Sequence, residues 1–415
     1  MSQTLTLAAR NLMRYRRRTL LTALLITLGV LALLLFVAAA GSFKQTMVGS
    51  ITDSMLGHLQ VHRKGYTASM DNLPLTMNLQ PRAVGLIEDA LKADPAVAAY
   101  SKRVKLGAMF SNFEQNSSVR LNGIDAAAED AAVPALRGRI IDGDKTGPLV
   151  SPGKVLVPAL LAKGMNVKVG DPVVLVATNT QGSVNGKTFT VGGILEGITG
   201  PGGRDGYIDI ADARELLRMD KEEVMEVAVR LKDIDLLPAT QKRLVAALDG
   251  SIRNKEDKPA TELHTWAELS PFANIVKMID MMTVFIRIML VAIVLVSVMN
   301  VMLMAVYERI REIGTLAAIG TQPRKLMAIF LSEGLLLGLV GAVVGVALSY
   351  AVVAALNVWP VVFAFGREQI TLHPTLAGAE VLGVLVLAVL VSGLASLQPA
   401  WRAARMDPIE ALRHV

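Results

Sequence analysis

The sequence predicts an α-helical membrane protein with four transmembrane helices, in a one-plus-three arrangement, and a large α+β extracytoplasmic domain inserted between the first helix and the second. Four long stretches contain no Asp, Glu, Lys or Arg: residues 19–43, 288–307, 334–366 and 381–401. A helix needs about 20 apolar residues to cross the hydrocarbon, and it satisfies its own backbone polar groups there. The composition agrees, because 52% of the 415 residues are hydrophobic and only 19% are charged.

The four spans divide the chain into segments of different character. The predicted organisation is a basic amphipathic helix at 1–18, a first span at 19–43, an α+β domain at 44–275, a second span at 281–307, a connecting loop at 308–325, a third span at 326–356, an external loop at 357–377, a fourth span at 378–400 and a tail at 401–415. Residues 262–280 are predicted to form a helical stalk that runs into the second span.

Basic residues flank the spans unevenly and predict the orientation. Five arginines precede the first span, four basic residues lie in the connecting loop, and Arg402, Arg405 and Arg413 follow the fourth span. The external loop holds only Arg367. The positive-inside rule therefore places both termini and the connecting loop in the cytoplasm, and the α+β domain outside. These flanks account for the basic residues, so the net charge of +6 does not indicate a nucleic-acid partner.

The first span has an alternative interpretation as a cleaved signal peptide, because a basic start and an apolar run precede the small residues at 38–40. The apolar run is longer than the roughly 7–15 residues of a signal peptide, which favours a retained helix. The segment before it is predicted to lie on the inner membrane surface, with Leu5, Leu12 and Tyr15 towards the lipid.

Mixed periodicity at 44–275 predicts a folded domain. Strands are predicted at 57–63, 118–124, 173–177, 188–195 and 206–210, and helices at 81–93, 211–219 and 238–248. The helix at 81–93 carries Val84, Ile87 and Leu91 on one stripe, and its first residue is a proline, which suits a helix start.

This domain shows no recognisable catalytic, metal-binding or nucleotide-binding set. His58 and His62 alternate along one strand without a third ligand nearby, so they are predicted to lie on a solvated strand face. The segment 182–188 is one residue short of a phosphate-binding loop, and its Asn185-Gly186 pair favours a hairpin turn instead. The chain has no cysteine, which excludes disulfides and thiolate chemistry. The sequence therefore predicts a non-catalytic chain with no metal site and no cofactor of its own.

The connecting loop combines dense charge with an apolar stripe. Residues 307–320 are predicted to form a short helix that turns back at Pro323. Ile310, Ile313, Leu316 and Ala317 fall on one face of that helix. Such a helix is suited to docking into a partner protein, with the stripe as a hydrophobic knob and the charges setting its orientation. The alternative is a solvated surface loop.

Few polar residues lie within the spans or at their edges. They are Arg287, Asn300, Glu333 and Glu380. Intramembrane ionisable groups are costly, so Glu333 is predicted to pair with Arg324, with Lys325 or with the basic segment before the first span rather than to contact a substrate. Arg287 lies near the outer end of its span, where its side chain reaches the interface.

Two further patterns concern helix faces. Met278, Met282, Phe285 and Met289 share one face where the stalk meets the outer leaflet. Thioether side chains repack easily around apolar ligands, so this face predicts either packing against a second chain or contact with an acyl chain of the substrate. The glycines of the third span predict close helix packing; they are Gly334, Gly338, Gly341 and Gly345.

Several motifs resemble the FtsX-like permease family. The motifs are the run from Val306 to Gly320, the Phe330-Leu-Ser-Glu-Gly334 stretch with the glycines that follow it, and the closing run from Pro399 to Arg413. The segments 155–162 and 169–175 resemble the external domain of the MacB-type members. The size of the chain and its start, without an N-terminal ATPase, are similar to the lipoprotein-releasing permeases of the LolC and LolE type.

The resemblance implies a permease subunit of an ABC transporter of the mechanotransmission type, in the bacterial inner membrane with its large domain in the periplasm. Two permease chains, identical or related, would pair with a dimer of separate ABC ATPase subunits, which bind ATP and magnesium. The cargo would be a lipoprotein or another amphiphile, taken from membrane lipids and passed to a periplasmic carrier. The alternatives are an FtsX-like regulator of an envelope enzyme, whose external domains are smaller, and a MacB-like efflux permease.

The same resemblance assigns the coupling to the ATPase to the connecting loop. The residues it implies are Glu308, Arg309, Arg311, Glu312, Ile313, Gly314, Leu316, Ile319, Gly320 and Pro323. A stand-alone membrane enzyme or sensor is disfavoured, because the sequence contains no recognisable catalytic set.

Overall fold

The computed structural model describes residues 2–14, 16–198, 203–360, 362–365 and 368–407. The chain forms two compact units. The helical unit comprises Met1–Gln45, Val276–Ala364 and Gln369–Val415, and the α+β unit comprises Thr46–Ile275 and Phe365–Glu368. Three residues named above, Tyr15, Arg367 and Arg413, lie outside the described residues, as does the end of the tail.

Helices of very different length make up the helical unit and cover the α+β unit. In chain order, the described α-helices are α1 (Ser2–Arg14), α2 (Arg16–Ile51), α3 (Pro81–Ala93), α4 (Ala126–Ala132), α5 (Ala159–Gly164), α6 (Ile210–Leu217), α7 (Leu237–Ser251), α8 (Trp266–Leu269), α9 (Ala273–Glu308), α10 (Ile310–Ala318), α11 (Pro323–Val358) and α12 (Gly378–Ala404). A π-helical turn, Thr52–Leu56, follows α2, and 3₁₀ turns lie at Thr67–Asn72, Arg137–Arg139 and Ile234–Leu236.

Four of the described helices, α2, α9, α11 and α12, are long and apolar enough to cross a membrane. The predicted four-span fold, with an α+β domain between the first and second spans, is therefore confirmed. Helix α11 ends at Val358, before Trp359-Pro360, because a proline disfavours helical conformation in the residue that precedes it. Trp359 and Pro360 thus do not belong to the third span, although the apolar run of the sequence continues through them.

The core of the helical unit draws on all four spans. Leu33 of α2, Val298 of α9, Leu337 of α11 and Ala388 of α12 are all buried in one cluster. Leu12 of α1 packs half-buried against the same cluster. The prediction that Leu12 faces the lipid was therefore wrong, because α1 uses that side chain to contact the spans.

Close packing of α11 depends on its glycines, as predicted. A Cβ placed on Gly338 would lie 2.4 Å from the Ser392 hydroxyl of α12, and one on Gly334 would lie 2.5 Å from Ser396. A Cβ on Gly341 would meet Ile26 of α2 at 2.8 Å. These glycines thus let α11 contact α12 on one side and α2 on the other.

The α+β unit is built on one mixed sheet. Its described strands are β1 (Leu59–Arg63), β2 (Val97–Ser111), β3 (Asn116–Ile124), β4 (Ile140–Gly143), β5 (Lys154–Pro158), β6 (Pro172–Thr178), β7 (Val184–Leu195), β8 (Gly206–Asp209), β9 (Glu226–Leu231) and β10 (Thr261–Thr265). The strand order is β10-β1-β9-β2-β3-β8-β5-β7-β4, with β6 paired to β2 and β7. Two further strands, β11 (Val362–Phe365) and β12 (Glu368–Thr371), pair with each other.

Helices cover this sheet and close its core. Ile87 of α3, Leu216 of α6 and Leu244 of α7 are buried in the same cluster as the strand residues Leu106 and Val229. The strands and helices predicted from periodicity all occur, and α3 has the predicted bounds. Helices α4 and α5 and the strands β2, β4, β5, β9 and β10 were not predicted from periodicity.

The hairpin turn of this unit lies earlier than predicted. The turn joins β6 to β7 near Gly182, which has a φ of +81°, and the Asn179 side chain accepts hydrogen bonds from two backbone N–H groups inside the turn. Asn185 lies within β7, where its amide donates to the carbonyls of Glu215 and Leu216. The short side chain of Asn179 stabilises the turn near Gly182. The prediction of a turn at Asn185-Gly186 was therefore wrong, because both residues lie within β7.

The prediction of a helical stalk over 262–280 was wrong for its first half. Strand β10 pairs with β1, and α9 begins only at Ala273. Between them, Thr265 and Glu268 form a capping box around the short helix α8, which satisfies two orphan N–H groups reciprocally. The alternating burial along β10 reflects a period of two rather than a helical period.

The face of β1 that carries His58 and His62 was predicted to be exposed to solvent, but it is buried. His58, Gln60 and His62 are 5%, 1% and 0% exposed, because β1 lies between β10 and β9. The Nε2 atom of His62 lies 3.3 Å from Glu226, and its ring stacks on Tyr66 with centroids 5.1 Å apart. The two histidines therefore belong to the polar interior of the sheet.

A candidate coupling site on the connecting helix

The connection between α9 and α11 contains a separate short helix, α10. Arg309 interrupts the helical conformation with φ −111° and ψ 20°. Helix α10 ends before Gly320, which has a φ of +92°, a conformation that glycine adopts without strain. Pro323 then opens α11 at a position that needs no N–H partner. Gly320 and Pro323 thus define the C-terminal end of α10.

A buried ion pair anchors the start of α10. Arg309 is 5% exposed and Glu333 is 2% exposed, and the Nη1 atom of Arg309 donates to Oε1 of Glu333 at 3.0 Å. The Asn11 side chain of α1 donates to the same oxygen at 2.6 Å. Helix α1, the start of α10 and helix α11 therefore meet at one carboxylate, which we call the Glu333 anchor (Asn11, Arg309 and Glu333).

Of the predicted partners of Glu333, the segment before the first span does supply one, Asn11. Arg324 and Lys325 are exposed at the start of α11, whereas Arg309 reaches Glu333 because the chain breaks its helix at that residue. Asn11, the partner from the segment before the first span, is an amide rather than a base. Asn11 was not predicted as a partner, although it follows the buried Ala8 by three residues on the amphipathic α1.

The predicted hydrophobic knob faces inwards for most of its length. Ile313 is 2% exposed and belongs to the core of the helical unit. Gly314 is buried beside it, and Ile310 and Ala317 are half-buried. Ile313 and Ala317 pack against the chain's own helices, and Arg309 is also buried within this unit.

The opposite side of α10 and the residues next to its two ends are exposed. We call this surface the outer face (Glu308, Arg311, Glu312, Leu316, Ile319, Gly320 and Pro323). Ile319 is 78% exposed and Leu316 is 42% exposed. Glu312 makes an exposed ion pair with Arg14 of α1 at 3.0 Å. The outer face thus combines two apolar side chains with both signs of charge, a composition suited to docking.

The remaining sequence-predicted residues lie on α9, away from α10. Met278, Met282, Phe285 and Met289 are 54%, 47%, 66% and 48% exposed. Nineteen residues separate Met289 from the end of α9, which corresponds to about 28 Å along a helix. The structure therefore does not bring this methionine face together with the outer face. Arg287 and Asn300 are also exposed on α9.

Within the described residues, no group of three or more His, Asp or Glu side chains is placed to hold a metal ion. Lys187, from the segment that resembles a phosphate-binding loop, lies within β7, and its Nζ atom is 2.7 Å from Asp212.

Comparison with known proteins agrees with this geometry. A model of the FtsX-like permease C-terminal region matches residues 284–408, which include α10, α11 and most of α9. A model of the MacB-like periplasmic core domain matches residues 19–247, more than half of the chain.

Three proteins and one solved structure illustrate the similarity. The lipoprotein-releasing system transmembrane protein LolC of Haemophilus influenzae is 24% identical over 414 residues, which cover 95% of this chain and 93% of that protein. LolC of Xylella fastidiosa strain 9a5c is 27% identical over 411 residues, which cover 94% and 92%. The macrolide export ATP-binding/permease protein MacB of Nitrosomonas europaea is 40% identical over 119 residues, which cover 28% of this chain and 16% of that protein. The solved periplasmic region of MacB from Actinobacillus actinomycetemcomitans aligns with a TM-score of 0.33 at 10% identity, covering 51% of this chain and 89% of that one.

The MacB-like model covers most of the first span and most of the α+β unit, and the FtsX-like model covers α10, α11, α12 and most of α9. The chain therefore belongs to the family of ABC-transporter permeases that combine a MacB-like periplasmic core domain with an FtsX-like C-terminal region.

Proposed function

We propose that this chain is the permease subunit that couples ATP hydrolysis by a separate ABC ATPase dimer to the release of a lipoprotein, or another amphiphilic cargo, at the periplasmic side of the inner membrane. The observation that carries the proposal is α10, a short helix with a buried anchor and an exposed outer face of mixed charge and apolar side chains. In this proposal the ATPase docks on the outer face and binds ATP and magnesium itself. The permease contributes no catalytic group.

The Glu333 anchor is suited to transmitting movement of α10 to the neighbouring helices. A buried ion pair that loses one partner leaves a charge unsolvated, so α10 cannot move away from Asn11 and Glu333 without a large penalty. Movement of α10 is then carried to α1 and α11 together. Helices α2 and α9 each have 36 residues, or about 54 Å, against about 30 Å of hydrocarbon, which leaves length to transmit motion beyond the membrane.

The length of the similarity supports a lipoprotein as cargo. The LolC relatives, named as parts of lipoprotein-releasing systems, match along 94–95% of this chain. The macrolide exporter matches along 28%. The methionine face of α9 is exposed, so apolar, easily repacked side chains are available to an acyl chain. A periplasmic carrier would then accept the released lipoprotein.

A second permease chain, identical or related, completes this proposal. Asn300 is exposed on α9 and precedes its end by eight residues, about 12 Å inside the helix terminus. An amide facing hydrocarbon is unfavourable, and transmembrane helices commonly satisfy such groups across a helix interface. No hydrogen bond to the Asn300 side chain occurs within the described part of the chain, which supports a partner helix at this position.

The test replaces the apolar side chains of the outer face. The double variant Leu316→Asp and Ile319→Asp should abolish copurification of the ATPase and lower cargo-stimulated ATP hydrolysis by about tenfold or more, because buried charges without partners oppose docking. Phe113→Asp is a matched control, since Phe113 is 66% exposed but lies in the α+β unit. Charge reversal by Glu308→Lys with Glu312→Lys provides a second, independent variant. Normal cargo-stimulated hydrolysis in both outer-face variants would show that the ATPase docks elsewhere.

A further inference from the structure

A cleft of about 990 Å³ opens in the α+β unit between the start of α3, the turn after α7 and the loop after β1. Its floor is apolar. Leu79 and Ile252 are 2% and 7% exposed, and Ala83 and Leu86 are half-buried on the α3 side. Volumes of this size and a partly apolar lining are typical of sites for small ligands.

The rim of this cleft is strongly cationic. Five basic side chains from separate parts of the unit line it: Arg63, Lys64, Arg82, Arg253 and Lys255. They face a single lining carboxylate, Glu256, whose Oε2 atom is already 3.0 Å from Lys258. Like charges gathered at one opening repel each other, so an anion bound there would relieve that repulsion.

Most of this positive charge is not neutralised by the chain itself. Arg253 pairs with Asp257 at 3.0 Å, and Arg63 donates to the Thr76 carbonyl at 3.0 Å. Lys64, Arg82 and Lys255 make no ion pair with any described carboxylate. Three cationic side chains thus remain available to a ligand.

The start of α3 adds to the same potential. The helix opens with Pro81, and the side chain of its N-cap residue, Gln80, makes no capping hydrogen bond. Arg82 and Ala83, in the first turn, line the cleft. The first turn of a helix carries partial positive charge and N–H groups that suit an anion, and here they stand beside the cationic rim.

We propose that this cleft binds a phosphate-bearing amphiphile. The guanidinium and ammonium groups of the rim bind the phosphate by charge-assisted hydrogen bonds, and the floor of Leu79, Ala83, Leu86 and Ile252 takes a short hydrocarbon segment. Two sources share this chemistry, a lipid headgroup with part of its chain and a free phosphate compound. The site is independent of the proposed coupling to an ATPase, since binding requires only the α+β unit of this chain.

The test measures binding to the full chain in phosphatidylcholine nanodiscs, without any ATPase, by isothermal titration calorimetry against empty nanodiscs. The probes are hexyl phosphate, inorganic phosphate and 1-hexanol. Hexyl phosphate should bind about tenfold or more tightly than either of the others, because only it uses both the rim and the floor. If inorganic phosphate bound as tightly as hexyl phosphate, the site would be one for free phosphate, and the proposal of an amphiphilic ligand would be overturned. If 1-hexanol bound as tightly as hexyl phosphate, the proposed role of the cationic rim would be overturned.

Variants of the lining residues test whether hexyl phosphate binds in this cleft. Lys64→Glu with Arg82→Glu should weaken hexyl phosphate binding by about tenfold or more, whereas Lys168→Glu, at an exposed lysine of another loop, should leave it unchanged. Leu86→Ser should weaken hexyl phosphate but not inorganic phosphate. Unchanged thermal unfolding of the exposed variants shows that they fold, and wild-type affinity in the Lys64→Glu and Arg82→Glu variant would overturn the site.

Discussion

Glu333 shows what a single side chain contributes to this protein. It lies in a transmembrane helix, where an unpaired carboxylate is costly, and two donors from other elements satisfy it. The pairing also buries Arg309, which was expected at a docking surface. Because Arg309 breaks the helix between α9 and α10, its side chain can turn back towards α11.

We expect Glu333→Gln to destabilise the protein by about 3–5 kcal/mol, because it leaves the guanidinium of Arg309 buried without its counter-charge. Glu312→Gln is the matched control. Glu312 pairs with Arg14 at the same distance, 3.0 Å, but the side chains are 50% and 65% exposed, so its loss should cost about 0–1 kcal/mol. Thermal and denaturant unfolding in the same detergent compares the two. Similar losses for both variants would show that burial does not distinguish the pairs.

Side-chain burial could be predicted from the sequence only where local pattern decides it. That Glu333 has a partner follows from its place inside an apolar run, but the identity of the partner depends on a helix break 24 residues earlier. His62 illustrates the opposite error. Its strand alternates like a solvated one, yet pairing with β9 places Glu226 beside it, a contact across 164 residues that no local pattern reveals.

The packing of α11 depends on small residues at helical spacing. Gly334 and Gly338 face serines of α12, and Gly341 and Gly345 face α2. The periodicity of these glycines predicted close packing correctly, because a period of about 3.6 residues determines which positions share a face. It could not show that two different helices are contacted, since that depends on how the spans are arranged.

We expect Gly338→Ala to destabilise the helical unit by about 1–3 kcal/mol, because the added methyl group would lie within 2.4–2.5 Å of Ser392 and must displace it. Gly383→Ala in α12 is the control, since nothing lies within 4 Å of its Cβ position. There the gain in helix propensity, up to about 1 kcal/mol, should dominate. Unfolding midpoints of the two variants test this, and a Gly338→Ala protein as stable as the control would rule out tight contact between α11 and α12.

Helix α10 shows how far an amphipathic pattern can be interpreted. The stripe through Ile310 and Ile313 predicted a buried face correctly, but not which protein covers it. The chain's own helices bury that face, and the exposed Leu316 and Ile319 lie beyond it. Periodicity identifies a face that avoids water, and only the tertiary fold shows whether a second protein is needed to cover it.

The number and positions of the membrane spans were the most predictable features of this protein. Apolar runs of membrane length locate four spans, because the hydrocarbon imposes both length and composition on a helix. The sheet of the α+β unit was less predictable. Its strand order places β1 between β9 and β10, near opposite ends of the domain sequence, and such pairings have no local signature.

The exposed methionines of α9 lead to a prediction about the complete transporter. We expect a photo-crosslinking residue placed at Met282 or Met289 to capture lipoprotein cargo in the assembled complex, because flexible thioether side chains on an exposed helix face accommodate acyl chains. The same residue at Leu390 of α12, which is 59% exposed, should capture lipid but no lipoprotein. The comparison separates a specific contact from general exposure to the membrane. If both α9 positions captured only a second permease chain, this face would be a subunit interface and the cargo would take another route.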